Sequence, residues 1–364
     1  MTITIVAGAR PNFMKIAPII SAIQNKKSLG ININFRLVHT GQHYDKNLSD
    51  TFFDELNIPI PDVNLDVKSG TQAEQTAAIM IDFEKELKNN PCDLVMVVGD
   101  VTSTMACTIV AKKAGIKVAH IEAGIRSGDI NMPEEINRIV TDSLTDYFFT
   151  TSEYANRNLK QLGVPENNIF FVGNVMIDTL LKNKSRFKKP EIWDTLKLEE
   201  KKYLVITLHR PSNVDEQNQL RSLISQVVDL AKNLPVIFPV HPRTQKILNG
   251  LNLKFKNLHL INPLGYLEFN YLVKNSFGVL TDSGGITEET TVMNIPCITL
   301  RDSTERPETC EIGTNVLVGN DSEKLSLAFN RLLSENWKKG GTPELWDGKA
   351  AERIVNDLIE IYQL

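Results

Sequence analysis

Short apolar runs, each closing on glycine or a small polar residue, punctuate the chain. Between them, apolar positions recur at three- and four-residue intervals. TITIVAG is the first run, and ARPNFMKIAPIISAI after it has helical spacing. The unit then repeats. FRLVHT, DLVMVVG, KVAHIEAG, DYFFTT and IFFVGN read as buried strands, with helices at TQAEQTAAIMIDFEKEL, STMACTIVAKKAG and PEEINRIVTDSLT. Strands that are apolar throughout, alternating with helices, predict a parallel sheet covered on both faces. KNKSRFKKPEIWDTLKLEEKK, residues 182–202, is polar and lysine-rich and reads as the domain connection. The pattern restarts at YLVITLH and continues through PVIFPVH, LHLIN, FGVLTDSGG and PCITLRD. The expected fold class is α/β: two doubly wound parallel-sheet domains facing a central cleft, residues 1–176 and 177–347. The last apolar helix, 348–364, is expected to pack back on the first domain.

Bulk properties narrow the function classes. The chain has 364 residues, too many for one ordinary core and suited to two α/β domains. Forty basic and 44 acidic residues leave a net charge of −4. That balance argues against nonspecific nucleic-acid binding and against an anionic membrane surface, so any anion must be held by a local pocket. Cys92, Cys107, Cys297 and Cys310 form no CxxC pair and no zinc-spaced cluster; they read as free thiols in a reducing compartment. The N-terminal apolar run is too short for a signal peptide. No stretch approaches the roughly 18 apolar residues of a membrane span. A soluble cytoplasmic protein is the expectation.

In doubly wound sheets, ligands sit at the carboxyl ends of strands. Those ends carry Gly8-Ala9-Arg10, His39 to His43, Gly99-Asp100, His120-Ile121-Glu122, His209-Arg210, His241-Pro242-Arg243 and Asp282 to Gly285. Five of the six histidines lie there, more than scatter alone would place. In TDSGGITEE, Ser283, Gly284 and Gly285 lead from a strand into a helix. Close backbone approach and a positive helix end make this a phosphate or pyrophosphate cradle; a plain Ser-capped helix is the competing reading. The pattern is neither GxGxxG, GxxxxGK[ST] nor GxSxG. Glu288 and Glu289 follow within a turn, where a carboxylate can accept from both hydroxyls of a ribose. Arg10 and Lys15 suit a diphosphate. RDSTERPE, with Arg301, Glu305, Arg306 and Glu308, also reads as an internal ion-pair network.

HIEAGIRSGDINMPEEINR, residues 120–138, carries Glu122, Asp129, Glu134 and Glu135. Acids favour helix N-termini, so Glu134 and Glu135 have an ordinary explanation. Glu122 does not, because it closes a buried strand and needs a partner or a purpose. With Asp100 at the neighbouring strand end, such carboxylates can bind a divalent metal or transfer protons. Without a hard-metal ligand pattern, proton transfer is favoured and no metal or cofactor is expected. Glu134 is the candidate for chemistry, and Glu135 for the helix start.

The motifs GARPNFMKIAP, GQH, GD, HIEAGIRS, PEEINR, GN, TLHR, DSGGITEE and TERPE occur in this order from residue 8 to 308. Together they resemble the non-hydrolysing UDP-N-acetylglucosamine 2-epimerases over nearly the whole chain. The resemblance implies a glycosyltransferase-B fold of two Rossmann-like domains, a UDP-sugar substrate, a homodimer, and a role in supplying activated ManNAc for surface polysaccharide. It implies that UDP leaves C1, a carboxylate takes the C2 proton to give 2-acetamidoglucal, and reprotonation and re-addition invert C2. Matched by motif, Asp100, Glu122, Glu134 and His209 are the catalytic set. Arg10, Lys15, Arg210, His241, Ser283, Gly284, Gly285, Glu289 and Arg306 are substrate contacts, with Glu289 on the ribose. Gln42 and His43 are candidates for an allosteric contact, although Tyr44 and Asp45 depart from the family's QHRE. GARPNF and GQHYDKN look more like UDP-2,3-diacetamido-glucuronate 2-epimerases, whereas TERPE looks like the UDP-GlcNAc enzymes. A retaining glycosyltransferase, a hydrolysing epimerase and a noncatalytic nucleotide-sugar sensor are the rival classes.

Overall fold

The computed structural model describes residues 1–41, 53, 55–68, 70–240, 242–250 and 255–364. It divides into two compact units, Met1–Lys182 with Glu344–Leu364, and Asn183–Pro343.

The first unit is built on seven strands: β1 (Thr2–Ala7), β2 (Asn34–His39), β3 (Val63–Asn64), β4 (Leu94–Val98), β5 (Lys117–Ile121), β6 (Tyr147–Thr150) and β7 (Ile169–Phe171). All pairings are parallel, in the order β3-β2-β1-β4-β5-β6-β7. The apolar runs explain this arrangement. Every residue of β4 is buried, as a strand covered by helices on both faces must be. On one face Val6, Val38, Val95 and Val97 pack with Ile79 and Phe83 of the helix Gln72–Asn89. Each such side chain contributes about 1.5–3 kcal/mol on burial. Thr71 and Glu74 start that helix by bonding each other's backbone amides at 3.2 and 2.8 Å.

The C-terminal helix Ala350–Tyr362 packs on the helix Arg10–Ser28 of this unit. Asp178 accepts the amides of Ala350 and Ala351 at its start, at 3.1 and 2.7 Å. Just ahead, Trp346 is fully buried and its indole N–H donates to the Thr151 carbonyl at 3.0 Å.

The second unit has β8 (Leu204–Thr207), β9 (Val236–Pro239), β10 (Leu258–Ile261), β11 (Gly278–Thr281), β12 (Cys297–Thr299) and β13 (Asn315–Leu317). Their order is β10-β9-β8-β11-β12-β13, again all parallel. Leu204, Ile206, Phe238, Leu280, Ile298 and Phe329 lie in one core. The lysine-rich stretch contributes structure of its own: the ring of Trp193 meets Tyr203 and Tyr271 edge-on, at centroid distances of 5.5 and 5.3 Å. In both sheets strand order reverses beside the first strand, at β1/β4 and at β8/β11. Ligands of doubly wound sheets gather at such switch points. Among the described residues no helix is long and apolar enough to cross a membrane.

Candidate active site

In the first unit the β1/β4 switch point is tied together by Asn12. Its carbonyl oxygen accepts the amides of Gly8 and Ala9, both at 3.0 Å, and its amide donates to the Val98 carbonyl at 2.9 Å. Gly8 is required by packing: a Cβ there would lie 2.3 Å from the Ser103 hydroxyl. Arg10 opens the helix Arg10–Ser28, and its side chain lies outside the described parts. Lys15, from the second turn of that helix, is buried and ion-paired with Glu122. This is the partner that an acid at the end of a buried strand demands. Glu122 also has a φ of 70°, in the left-handed region that costs a non-glycine residue on the order of 1–3 kcal/mol. Gly99, the residue before Asp100, shares that conformation, and a Cβ on it would meet the Lys15 ammonium at 3.2 Å. Lys15, Gly99 and Glu122 therefore converge on one spot.

Asp100 is half-buried and paired with Arg138, which is itself buried. The same guanidinium bonds Glu135 at 2.7 Å. Glu135 accepts the amides of Ser127 and Gly128 at 2.9 and 3.1 Å. Burial alone would raise its pKa; the two amides and Arg138 more than reverse this and hold it below the usual carboxylate range. Glu135 thus clamps the preceding loop, a larger role than favouring the helix start. Glu134 beside it is exposed, in the first turn of the helix Pro133–Leu144. Behind this group, His120 is fully buried, with Nδ1 2.7 Å from Asp142 and Nε2 2.8 Å from the Gly99 carbonyl. Asp142 also pairs with Arg126 and accepts the Gly124 amide.

In the second unit Asp282 plays the part that Asn12 plays in the first. It lies fully buried at the end of β11 and accepts from His209 and Arg210 at the end of β8. Burial pushes its carboxyl up, but these bonds outweigh burial and hold it below the ordinary range. His209 is exposed, and its Nδ1 lies 2.7 Å from Asp282. The helix Gly284–Met293 starts immediately afterwards, and Ser283 does not cap it through its side chain. Its hydroxyl is therefore not spent on the helix, as a plain Ser-capped helix would require.

Glu289 is buried and accepts the Tyr266 hydroxyl at 2.9 Å; burial raises its pKa to about 7, against the pull of Tyr266 and Asn270. Glu288 pairs instead with buried Arg306. Arg301 bonds Glu305 at 2.6 Å, and Arg210 approaches the other oxygen of Glu305 at 3.7 Å. The ion-pair reading of RDSTERPE is therefore observed for these residues. Glu308, fully buried, is pushed up to about 7 chiefly by desolvation. Gln42, His43 and His241 lie outside the described residues.

Of the strand-end histidines, His39 is structural. It accepts the Gly41 amide at 2.8 Å and stacks on Phe13 at 5.1 Å. His120 is structural too, held between Asp142 and the Gly99 carbonyl. From sequence Asp282 is a strand-end residue without an assigned role, and Arg138 and Tyr266 are not singled out. Asp282 carried a usable signal: it is an acid closing a buried strand, the same feature that marked Glu122. Among the described residues no group of three or more His, Cys, Asp or Glu is arranged to hold a metal ion.

Comparison with known proteins adds a family. A family profile described as UDP-N-acetylglucosamine 2-epimerase matches residues 25–359. A UDP-N-acetylglucosamine 2-epimerase of Methanocaldococcus jannaschii is 42% identical over 371 residues, covering 98% of this chain and 99% of that protein. A UDP-2,3-diacetamido-2,3-dideoxy-D-glucuronate 2-epimerase of Pseudomonas aeruginosa is 37% identical over 365 residues, covering 99% and 100%. The crystal structure of the Methanocaldococcus jannaschii UDP-GlcNAc 2-epimerase in complex with UDP-GlcNAc and UDP superposes with a TM-score of 0.88, at 42% identity. The match covers 99% of this chain and 100% of that one.

Proposed function

The chain belongs to the UDP-N-acetylglucosamine 2-epimerase family, and on that footing we propose that it interconverts UDP-GlcNAc and UDP-ManNAc. The observation that carries the reading is its full-length similarity to an enzyme crystallised with UDP-GlcNAc and UDP. The two doubly wound parallel sheets are those of that fold class.

The chemical difficulty lies at C2, which bears an amide nitrogen and a proton of low acidity. Departure of UDP from C1 creates oxocarbenium character, and that acidifies the C2 proton. A carboxylate removes it, leaving 2-acetamidoglucal and UDP. Proton delivery to the opposite face and return of UDP to C1 complete the inversion. The route needs groups that hold the diphosphate charge and more than one acid/base group. We assign the acid/base work to Asp100, Glu122 and Glu134 in the first unit and His209 in the second. UDP binding is assigned to Ser283, Gly284 and Gly285 for the diphosphate and Glu289 for the ribose, with Arg10, Lys15, Arg210, His241 and Arg306 as further substrate contacts. The buried Lys15–Glu122 ion pair supports assigning both residues to one site.

A second substrate has an observation in its favour: the diacetamido-glucuronate 2-epimerase is also a full-length relative. Assaying both UDP-sugars side by side decides between them. Turnover of UDP-GlcNAc at least tenfold above the uronate is expected, and the reverse preference would replace the assignment. The assembly we assign is a cytoplasmic homodimer, with a mass in solution twice the 40.9 kDa of one chain. Light scattering at the single-chain mass would contradict it.

A further inference from the structure

The two oxygens of Asp282 have different work. Its Oδ2 accepts the His209 and Arg210 amides at 3.0 and 2.9 Å and the Asn213 side-chain amide at 3.1 Å. Its Oδ1 lies 2.7 Å from His209 Nδ1 and receives the His209 amide at the longer distance of 3.2 Å. One oxygen therefore mainly holds the turn after β8, and the other mainly holds the imidazole. Thr281 and Thr207 are register partners in β11 and β8, and their hydroxyls bond at 2.7 Å just below. The base of the carboxylate is fixed on both strands.

From this geometry we infer that Asp282 is a positioning residue for His209, selecting the tautomer that turns Nε2 toward the substrate as the proton-exchanging atom. The inference rests on the assignment of His209 as an acid/base group. A carboxylate accepts and cannot donate, so the facing Nδ1 carries a hydrogen. In the neutral ring Nε2 is then the nitrogen with the lone pair. The His209 side chain is 59% exposed while the Asp282 carboxylate is fully buried. Among the described residues only the Nδ1 edge is anchored, which leaves the Nε2 edge to meet a reactant. Asp282 is also the residue before Ser283, so the ring and the proposed diphosphate cradle hang from one strand end.

Asp282→Asn separates the two jobs. The amide oxygen can keep the three donors of Oδ2, while the amide N–H2 faces His209 Nδ1 and makes it an acceptor. The hydrogen then moves to Nε2, with the backbone still held. The expected result is a fall in kcat of about 10²–10⁴-fold with KM and UDP affinity changed by less than about threefold. Histidine side-chain 15N NMR of the UDP-bound enzyme, at a pH where the ring is neutral, should show His209 as Nδ1–H in the wild type and Nε2–H in the variant. Loss of the resonance in His209→Asn assigns it among the six histidines. Wild-type kcat in Asp282→Asn beside a slow His209→Asn overturns the role of Asp282 alone. Wild-type kcat in His209→Asn overturns the assignment of His209, and the Asp282 inference with it. If Asp282→Asn does not fold, the wild-type spectrum decides, and an Nε2–H tautomer there refutes the inference.

Discussion

Replacing Glu289 with glutamine should make the protein more stable at alkaline pH and worse at binding UDP. Glu289 is buried against Tyr266, and its pKa rises from 4.5 to about 7. A raised carboxyl pKa means that the native state binds the proton more tightly than the unfolded chain does. Wild-type stability therefore falls as pH climbs from 4.5 through about 7, and levels off above. Integrating the two titrations gives a loss of roughly 2.5 kcal/mol between about pH 5 and pH 8. Glutamine cannot ionise, yet its carbonyl can keep the Tyr266 hydroxyl bond. Urea midpoints measured at both pH values should therefore converge near pH 5 and separate near pH 8, with Glu289→Gln the more stable protein. The ionised carboxylate is also what a ribose diol needs as acceptor, so the stabilised variant should lose UDP affinity. Such an exchange of stability for function is common at binding sites. Parallel pH curves for the two proteins would refute the burial argument.

Asp100→Asn, Glu122→Gln and Glu134→Gln should each lose at least about 10²-fold in turnover while still binding UDP by calorimetry; near-normal turnover in any one removes it from the acid/base set. Ser283→Ala should weaken UDP binding roughly 10–100-fold, the worth of one hydrogen bond to a charged group. Its melting temperature should stay close to wild type, because the hydroxyl does not cap the helix; unchanged UDP affinity would refute the cradle. Trp346→Ala should cost about 3–5 kcal/mol and expose the segment Glu344–Leu364 to limited proteolysis, and an unchanged melting temperature would show that the indole does not latch it.

Central strands such as β4 and β11 were legible because they are buried along their whole length and so appear as uninterrupted apolar runs. β3 was not, since two residues make no run of their own; β13 was also missed, although β7 and β12 are equally short. The candidate site residues came from the strand-end rule: Gly99-Asp100, Glu122, His209 and Ser283 all follow strand ends. The rule over-reached with His39 and His120, whose rings are committed to the protein itself. What sequence did not reveal were the partners. Asp282 reaches His209 across 73 positions, Arg138 reaches Asp100 across 38, and Tyr266 reaches Glu289 across 23. Local pattern carries no information on pairings set by tertiary packing. Glu134 and Glu135 illustrate the difference within one helical turn: both fit a helix start, and only the fold makes Glu135 a clamp on residues 127–128.

The central claim is that the C2 proton leaves and returns. Incubating the enzyme with UDP-GlcNAc in D2O, with no acceptor present, tests it directly by mass spectrometry and NMR of the product. UDP-ManNAc carrying deuterium at C2 is the predicted result. UDP-ManNAc that retains hydrogen at C2, or no ManNAc configuration at all, would contradict it.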